Sequence, residues 1–125
     1  MKFHKVKDAK SNVGHYSTAV ESNNLLFISG QVPVNQITGE VIDGDFKTQF
    51  LQVLNNLRNV LNSSGLDIEN VVKMNVYITD STKWAEANEI YKEFFGEHKP
   101  ARTILPVPPL HKGYLVEVDA VAEYK

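Results

Sequence analysis

Seven apolar residues limit the fold more than any other feature. Phe46, Phe50, Val53, Leu54, Leu57, Val60 and Leu61 recur at helical spacing and make one continuous stripe. Asp45 stands where an N-cap is needed and Gly65 lies just past the end, so the pattern predicts a helix from about Phe46 to Ser63. A helix with one apolar face needs an apolar partner, and two stretches of the other period supply it. Val72, Met74, Val76 and Ile78 alternate with Lys73, Asn75 and Tyr77, which predicts a half-buried strand. In the last such stretch Val116, Val118, Ala120 and Ala122 mark one face, and Leu115, Glu117, Asp119 and Val121 the other. Between them, Asp80 or Ser81 caps a second helix that Gly96 stops, with Trp84, Ala87, Asn88, Tyr91, Phe94 and Phe95 expected on its inner face. Upstream, "YSTAV" and "LLFISG" read as a hairpin around "ESNN", "FHKVK" as a short opening strand, and Thr38-Gly39 as a turn.

The order is β-β-α-β-α-β with extended pieces around it. It predicts an α+β domain with two helices on one face of a sheet. A chain of 125 residues is expected to form a single domain, 1–125, burying roughly two thirds of its unfolded surface. The second sheet face is mixed: Leu115, Val121 and Tyr77 lie beside Glu117, Asp119, Lys73 and Asn75. Such a face is either solvated or covered by another subunit with its polar groups at a shared cleft. The second reading is preferred, because a small domain with a partly apolar open face tends to associate.

Composition narrows the chemistry. The chain has no cysteine, which removes disulfides, thiolate metal sites and a cysteine nucleophile. Its formal charge of -2 provides no general attraction to nucleic acid or anionic lipid. The start "MKFHKVKDAK" lacks the roughly 7–15 apolar residues of a signal-peptide core. No stretch approaches the ~20 apolar residues of a membrane span. A soluble cytoplasmic protein is expected. His4, His15, His98 and His111 share no metal-ligand spacing, and no metal site is expected. No GxGxxG, P-loop or GxSxG pattern occurs. Lys2, Lys5, Lys7 and Lys10 either touch phosphates or form the wet side of an edge strand.

Three places can carry chemistry. Arg102 follows Pro100-Ala101 and precedes the apolar run Ile104-Leu105, at a strand start. It is either a surface ion-pair residue or a fork that binds a carboxylate through two parallel hydrogen bonds. Glu117 and Asp119, two apart on a strand, point to one face. They are an acid–base pair or merely a solvated face. Ser29-Gly30 ends a strand, where the glycine serves either close approach of a ligand to the backbone or a bulge.

Taken together, "GHYSTAV", "FISGQVPVNQITGEV", Gln49 and Asn56 within "TQFLQVLNNL", "SGLDIENVVKMNVYITD", "WAEANEIYKEFF", "PARTI" and "VEVDAVA" resemble the YjgF/RidA family, in order and over nearly the whole chain. The resemblance implies a chorismate-mutase-like fold, a mixed sheet assembled as a homotrimer around a central barrel, with pockets between subunits. It implies hydrolytic deamination of enamine and imine acids such as 2-aminoacrylate and 2-iminopropanoate to 2-keto acids and ammonia, without a cofactor. By the same resemblance Arg102 clamps the substrate carboxylate and Glu117 holds the attacking water. The backbone at Gly30 and Ile104 bonds the substrate, Tyr16 and Ser29 line the pocket, and Asn88 helps order it. The partners implied are a small imino or keto acid and further copies of the chain, with no nucleic acid and no membrane. The alternatives are a regulatory protein that binds small carboxylates without turnover, and an RNA-acting protein. The chain departs from the family pattern at Ile104, where many members have cysteine, at Leu110-His111-Lys112-Gly113, and in a shorter Glu97–Pro100 stretch.

Overall fold

The computed structural model describes all 125 residues. Its elements are β1 (Lys2–His4), β2 (Ala19–Ser22), β3 (Leu25–Gln31), α1 (Phe46–Ser63), β4 (Val71–Ile78), α2 (Trp84–Phe95), β5 (Ala101–Pro106) and β6 (Val116–Glu123). The six strands form one sheet in the order β1-β2-β3-β6-β4-β5. Both helices lie on one face, so the fold is α+β. The extended pieces at the start of the chain and after α2 are edge strands. β5 runs parallel to β4, the only parallel pair, because α2 carries the chain back across the sheet. Asn23 and Asn24 close the β2–β3 hairpin with φ of 53° and 62°, as a two-residue turn between twisted strands requires.

The stripe of α1 meets the inward faces of β3, β4 and β6 in one continuous core, and Asp45 accepts from the Thr48 N–H at the helix start. Two expectations need correction. Val72 does not face the core: it is the extra residue of a β-bulge opposite Val121 and Ala122, which turns Val71 inward (1% exposed) and Val72 outward (37%). Trp84 is 48% exposed, and Ala87, Ile90, Tyr91 and Phe95 fill the inner face of α2. Asp80 caps a 3₁₀ turn over Ser81–Lys83, so α2 begins only at Trp84 and leaves its indole at the rim of the core.

Two buried amides on α1 tie loops to the helix. Asn56 Nδ2 donates to the carbonyls of Val32 (3.0 Å) and Val34 (2.8 Å), while its Oδ1 accepts from Gln52. Gln49 donates to the Ile42 carbonyl and accepts from the Leu115 N–H at 2.9 Å, just before β6. Asn56→Leu strips the Val34 carbonyl of this donor, while the Val32 carbonyl keeps the Val34 N–H at 2.8 Å. We expect a loss of about 1–3 kcal/mol, read as a melting temperature lower by about 5–10 °C.

The uncovered face divides in two. Phe3, Val20, Phe27 and Val121 are cross-strand neighbours and form an apolar ridge over four strands, with Phe3 68% and Phe27 45% exposed. Beyond it stand the polar side chains of Asn75, Tyr77, Glu117 and Asp119. No helix is long and apolar enough to cross a membrane.

Candidate functional site

Arg102 sits on β5 opposite Met74 in register, so its side chain takes the helix side of the sheet, where α2 receives it. Trp84, Asn88 and Tyr91 follow one another at i, i+4 and i+7 on α2 and present one face to it. Asn88 Oδ1 accepts from Arg102 Nη1 at 2.9 Å. The guanidinium carbon lies 4.9 Å from the Tyr91 ring centre and 5.6 Å from that of Trp84. Two rings and one amide therefore fix the plane of the fork. The ion pairs of the chain are His4–Glu21, Arg58–Asp67 and Lys83–Glu86, so Arg102 has no carboxylate partner. A half-buried cation held in place without a counter-charge has the chemistry to receive an anion. It opens on a cavity of about 510 Å³ that Asn88, Tyr91, Phe95 and His98 also line. Ile104, half-buried, follows on the same side of β5, whose outer edge has no strand partner.

Glu117 stands on the other face. Its neighbours Val116 and Val118 are buried beneath the helices, and Glu117 points away from them into a cavity of about 870 Å³. Tyr16, Ser29, Gly30, Tyr114 and Asp119 line the same cavity. Here the two acids separate. Asp119 accepts from Asn75 Nδ2 (2.8 Å) and from the Tyr77 hydroxyl (2.7 Å), which pushes the Tyr77 phenol up to about 12. Its carboxylate is engaged in holding β4 to β6. Glu117 accepts no hydrogen bond within the chain, and burial, with the Asp119 charge adding to it, raises its pKa above the ordinary 4.5. Of the two, Glu117 is the acid free to exchange a proton.

Gly30 explains how Glu117 is placed. Ser29 and Gly30 together oppose Asp119 in a bulge between Ile28–Ala120 and Gln31–Val118. A Cβ at Gly30 would collide with Glu117 Oε2. The bulge and the close approach are thus one feature. The Ser29 hydroxyl donates to the Ser17 carbonyl at 2.7 Å and anchors the loop that carries Tyr16, which is 55% exposed.

The raised pKa of Glu117 has a consequence for stability. A group whose folded pKa lies above its unfolded value favours folding while it is protonated, and that contribution is lost as pH rises through the folded pKa. Glu117→Gln removes the penalty. The melting temperature of the variant should match or fall below that of the wild type near pH 4 and exceed it near pH 7, as differential scanning calorimetry would show.

The residues named from sequence thus fall into two groups on opposite faces of the sheet: Arg102, Asn88 and Ile104 on one, Tyr16, Ser29, Gly30 and Glu117 on the other. Trp84, Tyr91 and Tyr114 also shape these groups. For the first two the i, i+4, i+7 spacing with Asn88 was a usable signal, masked by their apolar character. Tyr114 has no such signal.

A profile of the family described as Endoribonuclease L-PSP matches residues 6–124. A RutC family protein from Pyrococcus horikoshii is 42% identical over 93% of this chain and 92% of its own length. The mouse protein named 2-iminobutanoate/2-iminopropanoate deaminase is 37% identical over 91% of this chain and 84% of its own. Among solved structures, E. coli TdcF with bound serine superposes with a TM-score of 0.91 at 34% identity, covering all of both chains.

Proposed function

Because this chain belongs to the YjgF/RidA family, we propose that it hydrolyses reactive enamine and imine acids of the 2-aminoacrylate and 2-iminopropanoate type to 2-keto acids and ammonia. The observation that carries the reading is Arg102, an oriented guanidinium with no carboxylate of its own chain to neutralise it. Its free edge suits the carboxylate of a small imino acid, which two parallel hydrogen bonds would hold in one orientation. The serine bound to the related E. coli TdcF is a ligand of that size and charge.

The reaction asks little else of the protein. A protonated imine is already electrophilic, and a positioned water with a base beside it completes the requirement. Glu117, free of other hydrogen bonds, takes a proton from that water as its oxygen joins the C=N carbon. The backbone of Gly30 and Ile104 and the side chains of Ser29 and Tyr16 frame the substrate.

The site is proposed to lie between copies in a homotrimer. Arg102 and Glu117 occupy opposite faces of one sheet, so a second copy is needed to bring one chain's guanidinium to another's carboxylate. The ridge of Phe3, Val20, Phe27 and Val121 offers apolar area for such an assembly.

The test is a coupled assay in which a pyridoxal-phosphate enzyme generates 2-aminoacrylate and semicarbazide traps the imine. The protein should compete with the trap and lower the yield of adduct. A folded oligomer that binds pyruvate yet leaves the adduct unchanged would mean a carboxylate-sensing role instead.

A further inference from the structure

The five tyrosines of the chain differ in what their hydroxyls do. Tyr77 donates to Asp119 at 2.7 Å, and Tyr124 donates to the Ser64 carbonyl at 2.8 Å. The Tyr91 hydroxyl is sealed from solvent and unpartnered, the one buried side-chain polar atom of which this is true. Tyr16 is mostly exposed. Tyr114 is the remaining case. The residue is only 6% exposed, its hydroxyl makes no hydrogen bond within the chain, and that hydroxyl is not among the sealed atoms. Its ring is therefore packed away while its oxygen reaches open space, and the space it lines is the cavity of Glu117, Gly30 and Tyr16.

With the ring packed and the oxygen open to the cavity, the hydroxyl is held at a fixed place where it can bond a molecule bound there. The surroundings hold it in place: the Tyr114 N–H donates to the His111 carbonyl at 3.2 Å, and the His111 ring stands edge-on 6.3 Å away. Lys112 between them adopts φ 55°, a left-handed conformation unusual for lysine, which shapes the turn delivering Tyr114 to the cavity. Burial, then the charges of Glu117 and Tyr16, raise the Tyr114 pKa, so the hydroxyl keeps its proton through the neutral range and remains a donor.

We infer that the Tyr114 hydroxyl is a further catalytic group, touching the reacting C–N group and giving the departing nitrogen its proton. The inference rests on the imine-hydrolase reading. That reaction needs two proton movements of opposite sense. In the first, water adds to the carbon of R₂C=NH₂⁺, the C=N π pair moves to nitrogen, and Glu117 takes one water proton. The neutral amino alcohol R₂C(OH)NH₂ results. In the second, Tyr114 gives its proton to that nitrogen, the C–N bond breaks with its electron pair leaving on ammonia, and the carbinol oxygen forms C=O as its proton returns to the tyrosine oxygen. Glu117 then gives its proton to ammonia, which departs as ammonium. Both residues end as they began.

The experiment compares Tyr114→Phe with wild type in steady-state deamination and in calorimetric titration with pyruvate, whose planar C=O is the counterpart of the imine C=N. The phenylalanine variant keeps the packed ring and should fold as well as wild type. We expect kcat to fall about 10²-fold with KM changed by less than about threefold. An unchanged kcat overturns the inference, as does a loss confined to KM. If wild type itself does not turn over the imine, the imine reading fails separately, and pyruvate affinity decides: about fivefold weaker binding by the variant upholds the contact, and equal binding overturns it.

Discussion

Arg102→Ala is expected to lower kcat/KM for imine hydrolysis by about 10²–10⁴-fold while leaving the chain folded. The size follows from what is removed. Two hydrogen bonds from a charged donor to a carboxylate are each worth about 1.5–3 kcal/mol, and about 1.4 kcal/mol is a factor of ten. The fold should tolerate the change, because Arg102 closes no ion pair and its contacts with Trp84 and Tyr91 lie at the rim of α2. Cation–π contacts at such sites contribute about 0.5–1 kcal/mol each, and the mutation also relieves a half-buried unpaired charge. Arg102→Lys should recover little. An ammonium is a point donor, and it cannot accept the fixed angle that Asn88 imposes while offering two parallel bonds to a ligand. Rates from the trap assay, with circular dichroism as the control for folding, measure both. An Arg102→Ala protein that deaminates at the wild-type rate removes the carboxylate clamp from the account.

Mixing two inactive variants should restore activity. If each site takes Arg102 from one copy and Glu117 from another, then Arg102→Ala and Glu117→Gln fail alone but complement each other after unfolding and refolding together. A mixed site is intact when the copy supplying its arginine is the Glu117→Gln variant and the copy supplying its glutamate is the Arg102→Ala variant. With equal amounts and random assembly, roughly a quarter of the sites in a ring of identical interfaces meet that condition. Recovery to about a quarter of the wild-type rate, absent when the two proteins are mixed without refolding, is the expected outcome. Had the two residues acted within one chain, co-refolding would restore nothing, and a rate no higher than the sum of the separate variants would return the site to a single subunit. The geometry favours recovery, since β6 turns Glu117 to the open face and β5 turns Arg102 to the helix side.

Much of the fold was legible because the patterns were long. α1 starts and ends as its stripe and caps predict, and β6 buries Val116, Val118, Ala120 and Ala122 while leaving Glu117 and Asp119 outward. Short segments were less legible. "ARTILP" has no alternation of its own, and its place as β5 comes from parallel pairing with β4. Val72 fitted a regular alternation, and only the ladder with β6 reveals the extra residue that breaks it. Trp84 read as core because it stands at helical spacing with Ala87, Tyr91 and Phe95, but a 3₁₀ turn delays α2 and leaves the ring beside Arg102.

The candidate site divides along the same line. Residue type and local spacing were enough to mark Arg102 as either a surface ion-pair residue or a carboxylate-binding fork, and Glu117 and Asp119 as a same-face pair, since these follow from side-chain chemistry and the two-residue repeat of a strand. Which acid is free was decided elsewhere, by Asn75 and Tyr77 on the neighbouring strand binding Asp119. That Gly30 lies against Glu117 depends on a bulge between strands far apart in the chain. The sequence by itself determined the helices, the alternating strands and the chemical kinds of group present, because those depend on neighbours along the chain. Tertiary structure alone decided which groups are paired, which stay free and which face of the sheet each occupies, because hydrogen-bond satisfaction and burial are set by residues brought together only when the chain folds.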